Sequence, residues 1–189
     1  MLDLTNHVHI LIIVLVCFLF SFIITFYIKK IAKHIGAMDI PNKRKVHKVP
    51  MPRLGGLGIF LTFLFGYMLF GVQSIQMNAI LIGAFIIVLI GVIDDISPIG
   101  AKTKLLGELA AAVVVIFYGG ILLDKITLFN LHIDFGILSY PITILFILAC
   151  TNIINLIDGL DGLSTGTCSI FYLTIGIIAF IKASFGGLD

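Results

Sequence analysis

Two adjacent carboxylates, Asp94 and Asp95, close a long apolar run in the segment Gly91-Val92-Ile93-Asp94-Asp95-Ile96-Ser97-Pro98. An ionised Asp at membrane depth costs about 2.5–3.5 kcal/mol, so packing alone does not account for the pair. Carboxylates suit Mg²⁺ and serve as bases when their surroundings push their pKa values apart. A pair of them at a membrane surface therefore points to a divalent cation, a proton transfer, or both. A second polar run reads Asn152-Ile153-Ile154-Asn155-Leu156-Ile157-Asp158-Gly159-Leu160-Asp161-Gly162. Its polar groups recur every third residue, so each successive one drifts about 60° around a regular helix. Gly159 and Gly162 allow the backbone to leave the helix, and Asn152, Asn155, Asp158 and Asp161 could then line one cavity. There they could hydrogen-bond a base or sugar and ligate a metal. The plain alternative is a hydrated turn with capping side chains, but a cap needs one such residue and this run supplies four. A calcium loop of the EF-hand kind is disfavoured, because its alternating acids and closing Glu are missing.

A third motif follows the first apolar run: Pro41-Asn42-Lys43-Arg44-Lys45-Val46-His47-Lys48, then Pro50-Met51-Pro52-Arg53-Leu54-Gly55-Gly56. From Lys29 to Arg53 the chain holds eight basic residues against one acid. Attraction of basic residues to anionic lipid, worth about 1 kcal/mol each, explains Lys29, Lys30 and Lys33. It explains less well the cluster of Arg44, His47, Lys48 and Arg53, set among prolines that stiffen the backbone. Such a loop suits phosphate, with Arg offering planar donors and Lys a point charge.

These motifs need elements that hold them at one surface, and composition says which. Of the 189 residues 60% are hydrophobic and only 12% charged, with a mean hydropathy of +1.20, far outside the range of a soluble globular domain. The expected fold is an all-α, polytopic membrane protein in one membrane domain. An α-helix needs about 20 apolar residues to cross about 30 Å of hydrocarbon, and six runs approach that length: 8–28, 54–72, 75–93, 105–123, 135–151 and 162–181. Pro141 falls in the first turn of the fifth, where a helix tolerates it.

Basic residues collect in short cytoplasmic loops. Ten of the twelve Lys and Arg fall on one side of the six spans, leaving only Lys125 and Lys182 on the other. Both ends of the chain are therefore expected outside, with segments 29–53, 94–104 and 152–161 on the cytoplasmic face. The first run is too long for a cleavable signal peptide, and its basic cluster follows it. Cys17, Cys150 and Cys168 are scattered in or beside apolar runs, without the spacing of a metal site or disulfide framework, and read as small buried hydrophobes. Residues 124–134 alternate enough to allow a short β-hairpin.

Taken in order, Pro41 to His47 with Pro52 to Gly56, Gly91 to Asp95, and Asn152 to Gly162 resemble the polyprenyl-phosphate N-acetylhexosamine-1-phosphate transferases, in particular the bacterial branch that starts wall teichoic acid and other surface polysaccharides. The resemblance implies that undecaprenyl phosphate attacks the β-phosphate of a UDP-N-acetylamino sugar, such as UDP-N-acetylglucosamine, with release of UMP. It implies Mg²⁺, with Mn²⁺ as a substitute, and an active site on the cytoplasmic face of the bacterial inner membrane. It implies catalytic roles for Asp94 and Asp95 and a metal-ligating Asn155. Asp158, with Asn152 and Asp161, would bind the nucleotide sugar, and Lys48, Arg53, Arg44 and His47 the phosphates. Its partners are the UDP-sugar, the lipid phosphate and membrane lipid, with no nucleic acid; a homodimer is compatible with it. Family members also carry a later metal-binding Asp and a His-rich loop that residues 1–189 do not contain. The expectation is thus the N-terminal part of a longer transferase, inactive on its own.

Two rival classes remain at this level. An ion- or proton-coupled transporter would use Asp94, Asp95 and Asp158 as intramembrane cation sites, but would place them near the bilayer midplane rather than at one interface beside Lys and Arg. A non-catalytic membrane fragment would need no shared cavity at all.

Overall fold

A computed structural model describes residues 4–41, 49–128, 131–158 and 162–185. The described residues form six α-helices: α1 (Leu4–Ile35), α2 (Gly55–Phe70), α3 (Ile75–Ile96), α4 (Ala101–Val113), α5 (Ser139–Ile157) and α6 (Leu163–Phe185). A π-helical turn, Val114–Tyr118, prolongs α4. Two short antiparallel pairs complete the described residues: β1 (Met38–Asp39) with β2 (Met51–Pro52), and β3 (Lys125–Leu128) with β4 (Leu131–Asp134). The second pair is the hairpin that residues 124–134 allowed.

Away from their charged ends and from α4, which carries Lys102, Lys104 and Glu108, the helices present apolar side chains on most faces, as lipid demands. Leu11 is 68% exposed, Met68 76% and Phe117 69%, which would be untenable in water but is ordinary against acyl chains. Among the described residues four helices are long and apolar enough to cross a membrane: Val8–Ile35, Ile75–Ile96, Gly136–Ile157 and Leu163–Lys182. The apolar helix Gly55–Phe70 is shorter. At 1.5 Å per residue α1 runs about 48 Å, well beyond the hydrocarbon. The fold is an all-α, polytopic membrane bundle.

Lipid tails are as apolar as the helices, so helix pairing relies on close van der Waals approach over small residues. Ala79 and Gly83 of α3 and Gly107, Ala111 and Ala112 of α4 are buried, and a Cβ on Gly83 would press on Ala111 and Val115. A Cβ on Gly107 would run into the side chain of Ile90 on α3, so the missing side chain sets how near α4 lies. On the other flank, Phe20 of α1 and Phe65 of α2 stack with ring centroids 3.9 Å apart. Ile28, Ala32, Ala37 and Leu54 form a small core where α1 meets the β1–β2 pair. After the π-helical turn, the backbone N–H of Leu123 donates to Thr143 Oγ1 at 2.8 Å and ties the connection to α5.

All six apolar runs coincide with helices, but the helices end differently from the runs. The first continues past residue 28 to Ile35, so Lys29, Lys30 and Lys33 sit on α1 rather than in a loop. Lys is a good helix former whose stem lies along apolar surface while its ammonium reaches water. For the same reason Lys102 and Lys104 begin α4, while α3 runs through Asp94 and Asp95 to Ile96. The fifth run continues to Ile157 and carries Asn152 and Asn155 with it. The fourth starts at Ala101 and stops at Tyr118, before Gly119 and Gly120, not at residue 123.

Candidate functional site

The end of α3, the start of α4 and the end of α5 meet at one end of the bundle. Asp94, in the last turn of α3, is held on both oxygens. Its Oδ1 accepts the backbone N–H of Ile99 at 3.0 Å, and its Oδ2 lies 2.7 Å from Lys104 Nζ. The connection between α3 and α4 spans only Ser97 to Gly100, which is why Lys104 reaches back to Asp94. Asp95, half-buried beside it, has no hydrogen bond or ion pair among the described residues. Among the described residues, one carboxylate is therefore fixed by protein partners and the other is not.

One turn further along α4 stands Glu108, whose Oε2 accepts from Asn152 Nδ2 at 2.7 Å. Asn152 also donates to the Leu148 carbonyl at 2.9 Å. The 60° drift between successive polar residues of α5 separates their roles. Asn152 turns to α4, while Asn155 and Asp158 face a cavity of about 420 Å³. Asp94, Asp95, Lys104 and Glu108 line the same cavity, together with Leu54, Gly56 and the apolar side of α3. Gly162, entering α6, takes a φ of 78°, the left-handed backbone that the Asn/Asp-Gly run provides for.

Arg53 is placed differently from a free phosphate ligand. Its Nη2 lies 2.5 Å from Asp39 Oδ1, and its backbone N–H donates to the Ala37 carbonyl at 3.0 Å. This pair clamps the base of the basic loop, and the guanidinium charge still bears on Asp94 and Asp95. Arg44, His47, Lys48 and Asp161 lie outside the described residues. Sequence reading counted Lys104 only as a topogenic charge and passed over Glu108. The signal for Glu108 was a lone carboxylate inside an apolar run, which is a functional hint in its own right.

The donor set fits Mg²⁺ in chemistry. Asp94, Asp95, Asn155 and Asp158 offer hard oxygens around one cavity. Among the described residues no three His, Cys, Asp or Glu side chains gather closely enough to hold a metal by themselves. Mg²⁺ rarely asks for such a cage, because it keeps waters and takes one or two carboxylates plus substrate phosphates.

Comparison with known proteins finds relatives of the chain. Residues 77–187 match the model of glycosyl transferase family 4. The chain is 42% identical over 160 residues to the Bacillus subtilis (strain 168) protein named probable undecaprenyl-phosphate N-acetylglucosaminyl 1-phosphate transferase, covering 83% of this chain and 44% of that protein. It is 28% identical over 163 residues to the undecaprenyl-phosphate alpha-N-acetylglucosaminyl 1-phosphate transferase of Escherichia coli (strain K12), covering 85% and 44%. It is 34% identical over 175 residues to the decaprenyl-phosphate N-acetylglucosaminephosphotransferase of Mycobacterium tuberculosis (strain ATCC 25618 / H37Rv), covering 81% and 42%. The chain thus spans less than half the length of these relatives. No solved structure matches it.

Proposed function

Because the chain belongs to glycosyl transferase family 4, whose model covers more than half of it, we propose that it forms part of an enzyme that moves N-acetylglucosamine-1-phosphate from UDP-N-acetylglucosamine to undecaprenyl phosphate. The supporting observation is the single cavity that gathers Asp94, Asp95, Lys104, Asn155 and Asp158 from three helices. An oxygen of the lipid phosphate attacks the β-phosphorus of the UDP-sugar. The bond from that phosphorus to the bridging oxygen breaks, and UMP leaves. One phosphoanhydride replaces another, so the step is close to thermoneutral, and catalysis rests on positioning and on neutralising charge.

Each residue has a task that its surroundings suit. Asp95, which has no hydrogen bond or ion pair among the described residues, orients the lipid phosphate and takes its proton when the phosphate is a monoanion. Lys104 spends one N–H on Asp94 and has two left for phosphate oxygens. Asn155 would hold the metal and Asp158 the nucleotide. Mg²⁺, or Mn²⁺ in its place, would offset the diphosphate charge and stabilise the leaving UMP when bound. The ten-to-two split of basic residues supports a site on the cytoplasmic face of a bacterial inner membrane.

Membranes from cells carrying the intact chromosomal gene test the reading on the protein as the cell makes it. UMP is expected only when UDP-N-acetylglucosamine, undecaprenyl phosphate and a divalent cation are all supplied. UMP release that ignores the lipid phosphate would overturn the proposal.

A further inference from the structure

We propose that Glu108 and Asn152 form a strut between α4 and α5 that sets the distance from the acidic pair on α3 to Asn155 and Asp158 on α5, which makes Glu108 a positioning residue for transfer. The inference rests on the proposed function and revises the nucleotide-binding role expected of Asn152. Three observations carry it. Both hydrogens of the Asn152 amide are committed, one to Glu108 and one to the Leu148 carbonyl. The amide can meet Glu108 only through its nitrogen, since its oxygen would face a carboxylate.

Depth is the second observation. Glu108 lies seven residues into α4 from Ala101, and Asn152 five residues before the end of α5, so both sit about 8–10 Å along their helices from the end that carries the acidic pair, on apolar helices that lipid would surround. A carboxylate at that depth needs a partner, and among the described residues Asn152 is the one it has. The third is register. Lys104 and Glu108 are one turn apart on the same face of α4, the first tied to Asp94 of α3 and the second to Asn152 of α5. Asn155 then stands one turn beyond Asn152 on the cavity wall. A single helix thus links both halves of the site, and a break at Glu108 frees α5 while leaving Asp94 paired.

The test exchanges the two partners. Glu108→Ala and Asn152→Asp are each expected to lower UMP release about tenfold in membranes, the second by setting carboxylate against carboxylate. The double variant Glu108→Gln with Asn152→Asp reverses donor and acceptor between the helices, forgoing only the bond to Leu148 within α5, and is expected to recover most of the activity that Asn152→Asp loses. Spin labels on Ile93→Cys and Ile153→Cys, with Cys17, Cys150 and Cys168 changed to Ser, read the α3–α5 distance without turnover; both sites are exposed, at 46% and 54%. The distance distribution should broaden in each single variant and narrow again in the double one. A narrow distribution in Glu108→Ala, or a double variant as slow as Asn152→Asp, overturns the strut. If the distances behave as expected but wild-type membranes release no UMP, the proposed function fails and the strut stands.

Discussion

Asp95→Asn is expected to slow UMP release by about 10²–10³-fold while leaving membrane insertion and the melting temperature close to wild type. The substitution keeps the size of the side chain and removes its charge and its basicity. Asp95 has no hydrogen bond or ion pair among the described residues to lose, so the fold should barely register the change. Its neighbour behaves differently. Asp94→Asn breaks the contact with Lys104 and should lower turnover and thermal stability together. Initial rates of UMP release, beside melting curves in detergent, separate the two. A rate for Asp95→Asn within tenfold of wild type would remove that carboxylate from the chemistry.

Lys104→Met is expected to lower turnover about 10²-fold, the scale of losing one charged donor to a transferring phosphoryl group. It should also destabilise the protein, because it leaves Asp94 partly buried without its cation. Removing one partner of a fully buried pair costs about 3–5 kcal/mol, and the exposure of this pair, 37% and 24%, calls for a substantial discount. A second substitution tells the two effects apart. Lys104→Met with Asp94→Asn removes the stranded charge, so melting should recover while turnover stays low. Recovery of both would make Lys104 a structural residue only, and recovery of neither would mean that the pair is not an isolated unit.

The helices were legible because the membrane imposes one length and one composition on whatever crosses it. Their ends were not. Hydropathy falls wherever charge begins, yet Lys29 to Lys33 remain on α1 and Asn152 to Asn155 on α5, since a helix stops when its backbone stops and not when its side chains turn polar. The acidic pair and the Asn/Asp run stood out in sequence because polar groups are costly in that setting. That they share one site was expected from the charge split and from the resemblance; the contacts that build it could not be read there, because they depend on Gly107 letting α4 approach Ile90 and on a short connection folding Lys104 back to Asp94. Glu108 was hidden by averaging, one acid among Leu105, Leu106, Leu109 and Ala110. The Arg53–Asp39 clamp was out of reach altogether, since strands of two residues leave no pattern to detect.

The fate of one phosphorus atom bears most directly on the central claim, that this cavity serves sugar-1-phosphate transfer. UDP-N-acetylglucosamine radiolabelled in its β-phosphate is given to membranes of the intact strain with undecaprenyl phosphate and Mg²⁺, and lipid is extracted. The account predicts that the label enters the lipid phase together with the sugar, that UMP appears unlabelled in the aqueous phase, and that Asp95→Asn suppresses both. Label retained in water as UDP while the sugar alone enters lipid would contradict it.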